Sequence, residues 1–210
     1  MEIIELVILI IIFLFSVVFH EVAHGWVALA LGDKTAQRAG RLTLNPLKHL
    51  DPIGSILLPG ILILMSMAGA GGIIFGWAKP VPINPYNFRD QKYGSAKVAV
   101  AGPLANISLA LIFGLALRFL PVLYTIQGVG LVFLYIVQIN LILAIFNLMP
   151  VPPLDGSHIL FTFLPQSAQR FKIFLSRYGF FVLIFIIFFL FQYIARIVFW
   201  LMKLITGLSV

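Results

Sequence analysis

Four long apolar stretches dominate this sequence, and they limit the folds that the chain can adopt. They occupy about residues 3–31, 97–120, 129–149 and 178–204, and Gly32, directly after the first, suits the C-terminal cap of a helix. A helix needs about 20 apolar residues to cross the hydrocarbon core of a bilayer. Hydrophobic residues make up 61% of the chain and charged residues 10%, too few to cover a water-soluble domain. The sequence therefore predicts an all-α polytopic membrane protein with four to five transmembrane helices, in which residues 1–210 form a single domain.

The stretch at 53–75 is long enough to be a fifth span, but Pro59-Gly60 interrupts it and several glycines end it. Such residues favour a re-entrant segment over a straight helix. Loop charge favours the same interpretation, because Lys and Arg collect in cytoplasmic loops. If 53–75 turns back, 11 of the 14 basic residues fall on one side of the membrane: Lys34, Arg38, Arg41, Lys48, Lys79, Arg89, Lys92, Lys97, Arg170, Lys172 and Arg177.

The net charge of +7 lies mainly in loops between apolar stretches. That placement indicates contact with anionic lipid headgroups, so we expect the lipid bilayer and no nucleic acid as a partner. The chain has no cysteine, which excludes disulfides and thiolate metal sites. Two loop segments, 41–44 and 79–85, have the alternation or the prolines of short extended strands, and we expect them to lie at the membrane surface.

The first apolar stretch contains the sequence His20-Glu21-Val22-Ala23-His24. Histidines at positions i and i+4 lie on one helix face and can bind the same metal ion. A glutamate beside the first ligand is placed to accept a proton from a water molecule, as in the H-E-x-x-H pattern of zinc hydrolases. Ionisable groups are costly inside a membrane and mark function there. The pattern therefore predicts a metal site with Glu21 as general base.

A catalytic zinc ion usually has three protein ligands and one open position. The sequence leaves four candidates for the third ligand, namely Asp155, His158, His49 and Asp51. Asp155 follows three prolines and precedes Gly156, so it lies in irregular backbone near the end of a span. Such backbone occurs at membrane depth only inside protein or beside a wet cavity. An aspartate before glycine is also typical of an ordinary turn, and both interpretations remain open at this point.

Three motifs in order make the chain resemble the site-2 protease family of zinc intramembrane metalloproteases. They are the H-E-x-x-H sequence at 20–24, an N-x-x-P-x-x-x-L-D-G sequence at 147–156, and the G-x-x-x-N sequence at 102–106. The resemblance implies that His20, His24 and Asp155 bind one Zn²⁺ per chain. It also implies that the helix with the H-E-x-x-H motif and the helix with the L-D-G motif are parallel, with a single span between them. We expect a minimal form of the family without a PDZ domain.

Further roles follow from the resemblance. It implies that Glu21 is general base and then general acid, and that Asn147 stabilises the oxyanion of the peptide that is cleaved. Gly102 and Asn106 would allow close helix packing, or Asn106 would contact substrate. We predict that Thr43 and Val81 also bind substrate, because an unwound peptide could pair with the two extended segments as an added strand.

The sequence thus predicts an intramembrane zinc metalloendopeptidase that cleaves transmembrane proteins in or near their spans, as in regulated intramembrane proteolysis. We expect it in the cell membrane of a prokaryote, with the active site nearer the cytoplasm. The alternative is a metal-binding membrane transporter or sensor, in which Glu21 would have no distinct task. A catalytically inactive scaffold is a third interpretation, which the complete set of His20, Glu21, His24 and Asp155 disfavours.

Overall fold

A computed structural model describes residues 3–51, 61 and 79–208, and the regular structure in these residues is helical. Four one-turn 3₁₀ segments connect the α-helices, at Pro46–His49, Pro85–Asn87, Pro121–Tyr124 and Gln166–Ala168. The α-helices, labelled here in chain order, are α1 (Ile3–Ala30), α2 (Thr35–Arg38), α3 (Gly94–Phe119), α4 (Val129–Asn147), α5 (Asp155–Phe163) and α6 (Gln169–Thr206).

Four of the helices in the described part of the chain are long and apolar enough to cross a membrane, namely α1, α3, α4 and α6. They coincide with the four stretches that the sequence predicts, which confirms the all-α class for the described residues. Helix α6 begins nine residues earlier than predicted. Its 38 residues correspond to about 57 Å of helix, well over the roughly 30 Å of a hydrocarbon core. Its first turns, with their three basic residues, extend beyond the apolar part.

Glycines in the left-handed conformation end two of the spanning helices. Gly32 has φ +108° after α1, and the N–H of Asp33 then donates to the Ala28 carbonyl at 2.9 Å. Gly207 has φ +74° after α6, and its N–H donates to the Lys203 carbonyl. A left-handed residue after the last turn lets the chain turn back and satisfy carbonyls that have no helical partner. The sequence predicted the first of these ends at Gly32.

Helix α3 is the central helix, because it contacts α1, α4, α5 and α6. Small residues line its buried side, and they let the neighbouring backbones approach closely. Gly114, for example, faces Ile205 of α6 and Val137 of α4. The largest apolar cluster lies where these three helices meet and consists of Ala110, Val137, Leu141, Val198 and Ile205. Since lipid is as apolar as leucine, such close packing must hold the spans together.

The helices alternate in direction, which brings the ends of α1 and α4 to the same side of the molecule. Asp155, just beyond α4, lies 3.3 Å from His24 near the end of α1. At the opposite end of the bundle, Arg118 of α3 donates to the Leu204 carbonyl of α6 at 2.8 Å. Helices α1 and α4 are therefore parallel and α3 is antiparallel to both. This agrees with the arrangement that the resemblance implies.

The predicted strands at 41–44 and 79–85 are not present in the described residues, and that part of the fold prediction is wrong. Side chains form hydrogen bonds with the backbone of 79–81, and no neighbouring strand does so in the described residues. The Arg41 guanidinium donates to the Lys48, Lys79 and Pro80 carbonyls, and the Val81 N–H donates to Glu21. The prolines around Val81 also remove N–H groups that a strand ladder would need.

The re-entrant segment predicted at 53–75 lies outside the described residues. The described residues on either side of it meet, because the Lys79 N–H donates to the His49 carbonyl at 2.9 Å.

Hydrogen bonds of Asp33 connect the loop after α1 to the segment that precedes α3. Its carboxylate is fully buried and accepts hydrogen bonds from the Asn84 N–H at 2.7 Å, the Asn87 side chain at 2.8 Å and the Thr35 N–H at 3.0 Å. Burial by itself would raise the pKa of Asp33. The hydrogen bonds outweigh that effect and hold its pKa below the ordinary value of 3.8.

This environment makes Asp33 a source of acid sensitivity. A carboxyl whose pKa is lowered by folding stabilises the fold above its unfolded pKa, and that contribution disappears as the pH falls through the folded value. We expect Asp33→Asn to destabilise the protein by roughly 1–3 kcal/mol at neutral pH and to flatten the fall in stability below about pH 4. Thermal unfolding in detergent at several pH values measures both effects. An equally steep fall in the variant would contradict this account.

Candidate metal centre and active site

His20 and His24 project from one face of α1 towards a common point. Each is about 6% exposed, and their Nε2 atoms lie 3.0 Å apart. The i, i+4 spacing accounts for this arrangement, since it places the two rings one helical turn apart on the same face. The rings meet edge to face, with centroids 4.6 Å apart. Both Nε2 atoms can therefore face a single ion.

Asp155 completes a group of three potential ligands. Its Oδ2 lies 3.1 Å from His20 Nε2 and 3.3 Å from His24 Nε2. The neighbouring Gly156 allows Asp155 to lie at this point. Its Cα packs directly on the Leu148 and Met149 carbonyls, where a Cβ would collide with backbone. The first turn of α5 is thereby held against the end of α4. The structure thus brings His20, His24 and Asp155 together, and among the described residues the other three candidates do not belong to this group.

The other nitrogen of each imidazole indicates which atoms face the common point. His24 Nδ1 lies 2.7 Å from the Val98 carbonyl oxygen, which can only accept a hydrogen bond. His20 Nδ1 lies 2.6 Å from Asn106 Oδ1, also an acceptor. Both Nδ1 atoms must therefore carry the proton, and both Nε2 atoms present lone pairs.

Three acceptor atoms consequently face one another within 4.8 Å. Asp155 Oδ2 is buried and receives no hydrogen bond from the described residues. Such a group is repulsive by itself and becomes favourable when a cation lies between its members. Two imidazole nitrogens and one carboxylate oxygen form the ligand set of catalytic zinc sites with an open fourth position. The residues therefore fit a zinc ion.

Gly102 of α3 leaves room for the two imidazoles. A Cβ at this position would lie 2.6 Å from His20 Nε2 and would also overlap His24 Nε2. The sequence assigned Gly102 to close helix packing. The structure shows that Gly102 packs directly against the imidazole rings of His20 and His24.

A cavity of about 400 Å³ opens beside the three ligand atoms. Among the residues that line it are Glu21, Asn147 and His158, together with Val81 and other residues of the 79–85 segment. Glu21 Oε2 accepts the Val81 N–H at 2.8 Å, which fixes the carboxylate on the wall of the cavity. Asn147 Nδ2 donates to the Leu143 carbonyl at 2.9 Å and has a second N–H to offer.

Other predicted site residues lie elsewhere. Thr43 does not line this cavity, and its carbonyl accepts a hydrogen bond from His49, which is fully buried. Asp51 also lies outside the cavity wall and the ligand group. Asn106 is fully buried behind His20. Its side chain therefore contacts His20, and the substrate contact that we predicted for it stays a prediction.

Sequence reasoning missed two residues of this region, Ser16 of α1 and Asn140 of α4. Both are buried, and Asn140 binds Asn106 and Ser16 at 2.8 and 2.9 Å. The available signal was a carboxamide in the middle of an apolar span, where an uncharged polar side chain needs a partner.

Comparison with known proteins agrees with this geometry. The profile of peptidase family M50 matches residues 123–187, which include Asn147 and Asp155. A Bacillus subtilis protein is 39% identical over 181 residues, which make up 83% of this chain and 77% of that protein. The chain belongs to peptidase family M50, the site-2 protease family.

A second relative of this peptidase comes from Mycolicibacterium smegmatis and is 33% identical over 173 residues, or 81% of this chain and 62% of that protein. The two relatives are named "Putative zinc metalloprotease" YwhC and Rip2, respectively. No solved structure matches the chain. The family predicted from the three motifs is thus confirmed, and the chain is a zinc metalloprotease of the membrane type.

The contact between Gly102 and the imidazoles can be tested by adding a methyl group. We expect Gly102→Ala to displace the rings and lower zinc affinity by roughly 10–100-fold, the range seen when the support of a ligand is disturbed. Gly114→Ala is the matched control, because its Cβ would crowd Ile205 and not a ligand. Zinc titration against a competing chelator measures the effect. Equal zinc affinity in Gly102→Ala and the wild type would contradict this assignment.

Proposed function

We propose that this metalloprotease is an intramembrane endopeptidase that hydrolyses peptide bonds in or next to the transmembrane segments of other membrane proteins. The observation that carries the proposal is the cluster of His20, His24 and Asp155 beside a cavity that also contains Glu21. Two of these ligands and the glutamate belong to a membrane-spanning helix, so the reaction would take place at membrane depth.

In this proposal His20, His24 and Asp155, which line the cavity, would hold one zinc ion. When bound, zinc supplies Lewis acidity, which lowers the pKa of water and polarises a carbonyl group. The chain then needs a base, an oxyanion donor and a means of holding an extended peptide. Each of these has a candidate on the cavity wall.

Glu21 is the proposed base. The Val81 N–H holds one carboxylate oxygen at 2.8 Å. The carboxylate can accept a proton from the attacking water and return it to the amine that leaves, which is the usual task of a positioned general base and acid.

Asn147 is the proposed oxyanion donor. One of its N–H groups is engaged by the Leu143 carbonyl, which fixes the side chain and leaves the second N–H for the developing negative charge. His158 lines the same cavity and is exposed within it. We assign it no step in the reaction.

The segment 79–85 is the proposed support for substrate. Four of its residues line the cavity, three of the segment's residues are prolines, and residues 79–84 have no regular secondary structure. A substrate helix hides its peptide bonds in internal hydrogen bonds, so it must unwind before water can attack. Residues that weaken helices near the cleavage site should therefore favour cleavage. Val81 stays a candidate for contact with the unwound chain.

Charge supports an orientation with the active site nearer the cytoplasm. The basic residues of 34–48 and 79–97 lie in segments that are joined by hydrogen bonds at the active-site end of the bundle, and α6 also begins there. Lys and Arg collect on the cytoplasmic side of membrane proteins. We propose the cell membrane of a prokaryote as the location, with single-span membrane proteins as substrates.

Replacement of Glu21 by Gln tests the proposal directly. Because Glu21 is not a ligand, the variant should bind zinc as the wild type does, while cleavage of single-span membrane substrates in detergent falls by at least about 100-fold. Glu5→Gln is the matched control, since it makes the same change on α1 away from the cavity.

The outcomes separate the proposal from its alternative. Equal cleavage by Glu21→Gln and the wild type would remove the proposed mechanism. Zinc binding without cleavage by either protein, together with zinc flux through vesicles in both, would favour the transporter.

Asn147 gives a second prediction. Loss of one oxyanion donor typically lowers kcat by about 100–1000-fold. We expect Asn147→Leu to show such a loss with zinc affinity and KM nearly unchanged. Gln138→Leu, also on α4 but on a different cavity, is the control. A loss of zinc in Asn147→Leu would assign the residue to the metal site and contradict its proposed role.

A further inference from the structure

Three buried polar side chains form a chain of hydrogen bonds that ends on His20. Asn106 Oδ1 lies 2.6 Å from His20 Nδ1, and Asn106 Nδ2 donates to Asn140 Oδ1 at 2.8 Å. Asn140 Nδ2 in turn donates to Ser16 Oγ at 2.9 Å. Asn106 and Asn140 are fully buried and Ser16 is 3% exposed. All three lie within membrane-spanning helices, so no bulk water can replace a missing partner.

Two backbone carbonyls determine how the carboxamides are turned. Asn140 Nδ2 also donates to the Ile136 carbonyl at 2.9 Å, and Asn106 Nδ2 also donates to the Ser16 carbonyl at 3.2 Å. A carbonyl oxygen only accepts, so each amide must present its NH₂ group to it. The Ser16 hydroxyl imposes no such direction, because it can accept or donate.

The direction of each bond then follows along the chain. The Ile136 carbonyl turns the NH₂ of Asn140 towards itself, so Oδ1 of Asn140 faces Asn106. That oxygen attracts the NH₂ of Asn106, whose own Oδ1 must then face His20. His20 Nδ1 is thereby required to carry a proton, and Nε2 is left with its lone pair directed at His24 and Asp155.

We infer that Asn140 is a positioning residue for the metal centre: through Asn106 it holds His20 in the Nδ1–H tautomer that can bind the metal. This inference rests on the proposed metal site and adds a residue of α4 to its machinery.

The two ligand histidines differ in how their tautomers are fixed. His24 Nδ1 donates to the Val98 carbonyl, a backbone group that cannot turn round. His20 depends on a side-chain amide, and an amide that flipped would offer an N–H to Nδ1 and favour the tautomer that cannot bind metal. The hydrogen bonds from Asn106 to Asn140 and to the Ser16 carbonyl oppose that flip. Of these two hydrogen bonds of Asn106, the one to the Ser16 carbonyl is the longer at 3.2 Å.

The experiment compares four variants by zinc affinity and by the tautomer of His20 in the metal-free protein. Histidine ¹⁵N NMR distinguishes the two neutral tautomers, and the chain has four histidines, so single replacements assign the signals. We expect Asn106→Leu and Asn140→Leu to weaken zinc binding about 10–100-fold and to populate the Nε2–H tautomer of His20. A purely structural role for Asn140 would lower the thermal stability without changing the tautomer.

Two matched variants keep the direction of the hydrogen bonds. Asn140→Asp, protonated when buried, can donate to the Ile136 carbonyl and still accept from Asn106, so we expect zinc affinity within about threefold of the wild type. Ser16→Ala removes a partner that does not determine direction, and we expect a similarly small change. If Asn140→Leu does not fold, Asn140→Val serves in its place with the same expected result.

The possible results are distinct. Zinc affinity and His20 tautomer unchanged in Asn140→Leu or Asn140→Val would overturn the inference, and so would an equal loss in Ser16→Ala. Neither result would affect the proposed function as long as His20→Ala loses zinc. If His20→Ala kept full zinc affinity, the proposed metal site would be wrong, while the tautomer measured without metal would still decide the role of Asn140.

Discussion

The absence of water inside a bilayer is the constraint on which this structure depends. Helix α1 carries two imidazoles and a carboxylate in a span that is otherwise apolar, and each of them must find a partner within the protein. His24 forms a hydrogen bond with the Val98 carbonyl, His20 with Asn106, and Glu21 with the Val81 N–H. All three partners come from later parts of the chain. This arrangement of the three side chains therefore requires that α3 pack against α1 and that the 79–85 segment lie beside Glu21.

Helix α3 meets this requirement through small residues. A bilayer provides little hydrophobic force between helices, so close contact must come from shape. Gly102 brings the α3 backbone against the two imidazoles, and Gly114 does the same against Ile205 further along. The first contact makes room for a metal site and the second makes room for α6. A single helix surface thus packs against the two imidazoles at one end and against α6 at the other.

The third ligand depends on a break in regular structure. Helix α4 ends at Asn147, and α5 begins at Asp155 after a run of prolines. Gly156 lets the start of α5 lie directly on the carbonyls that end α4. Pro153 of this irregular backbone and Asp155 line the cavity, as expected for irregular structure at this depth. The same geometry places Asn147 and Asp155 on one cavity wall, although eight positions separate them in the sequence.

The sequence by itself determined the helical class, the four spans, the end of α1 at Gly32 and the family, because length, hydropathy and motif spacing are local properties. It also named His20, Glu21, His24 and Asp155, since ionisable groups stand out in apolar surroundings. Only the tertiary structure showed that Asp155 lies beside the two histidines, since that depends on which loop lies next to α1. It also replaced the predicted strands by side-chain contacts from Arg41 and Glu21. The link from Asn140 through Asn106 to His20 joins three helices, and no local pattern encodes which buried amides will meet.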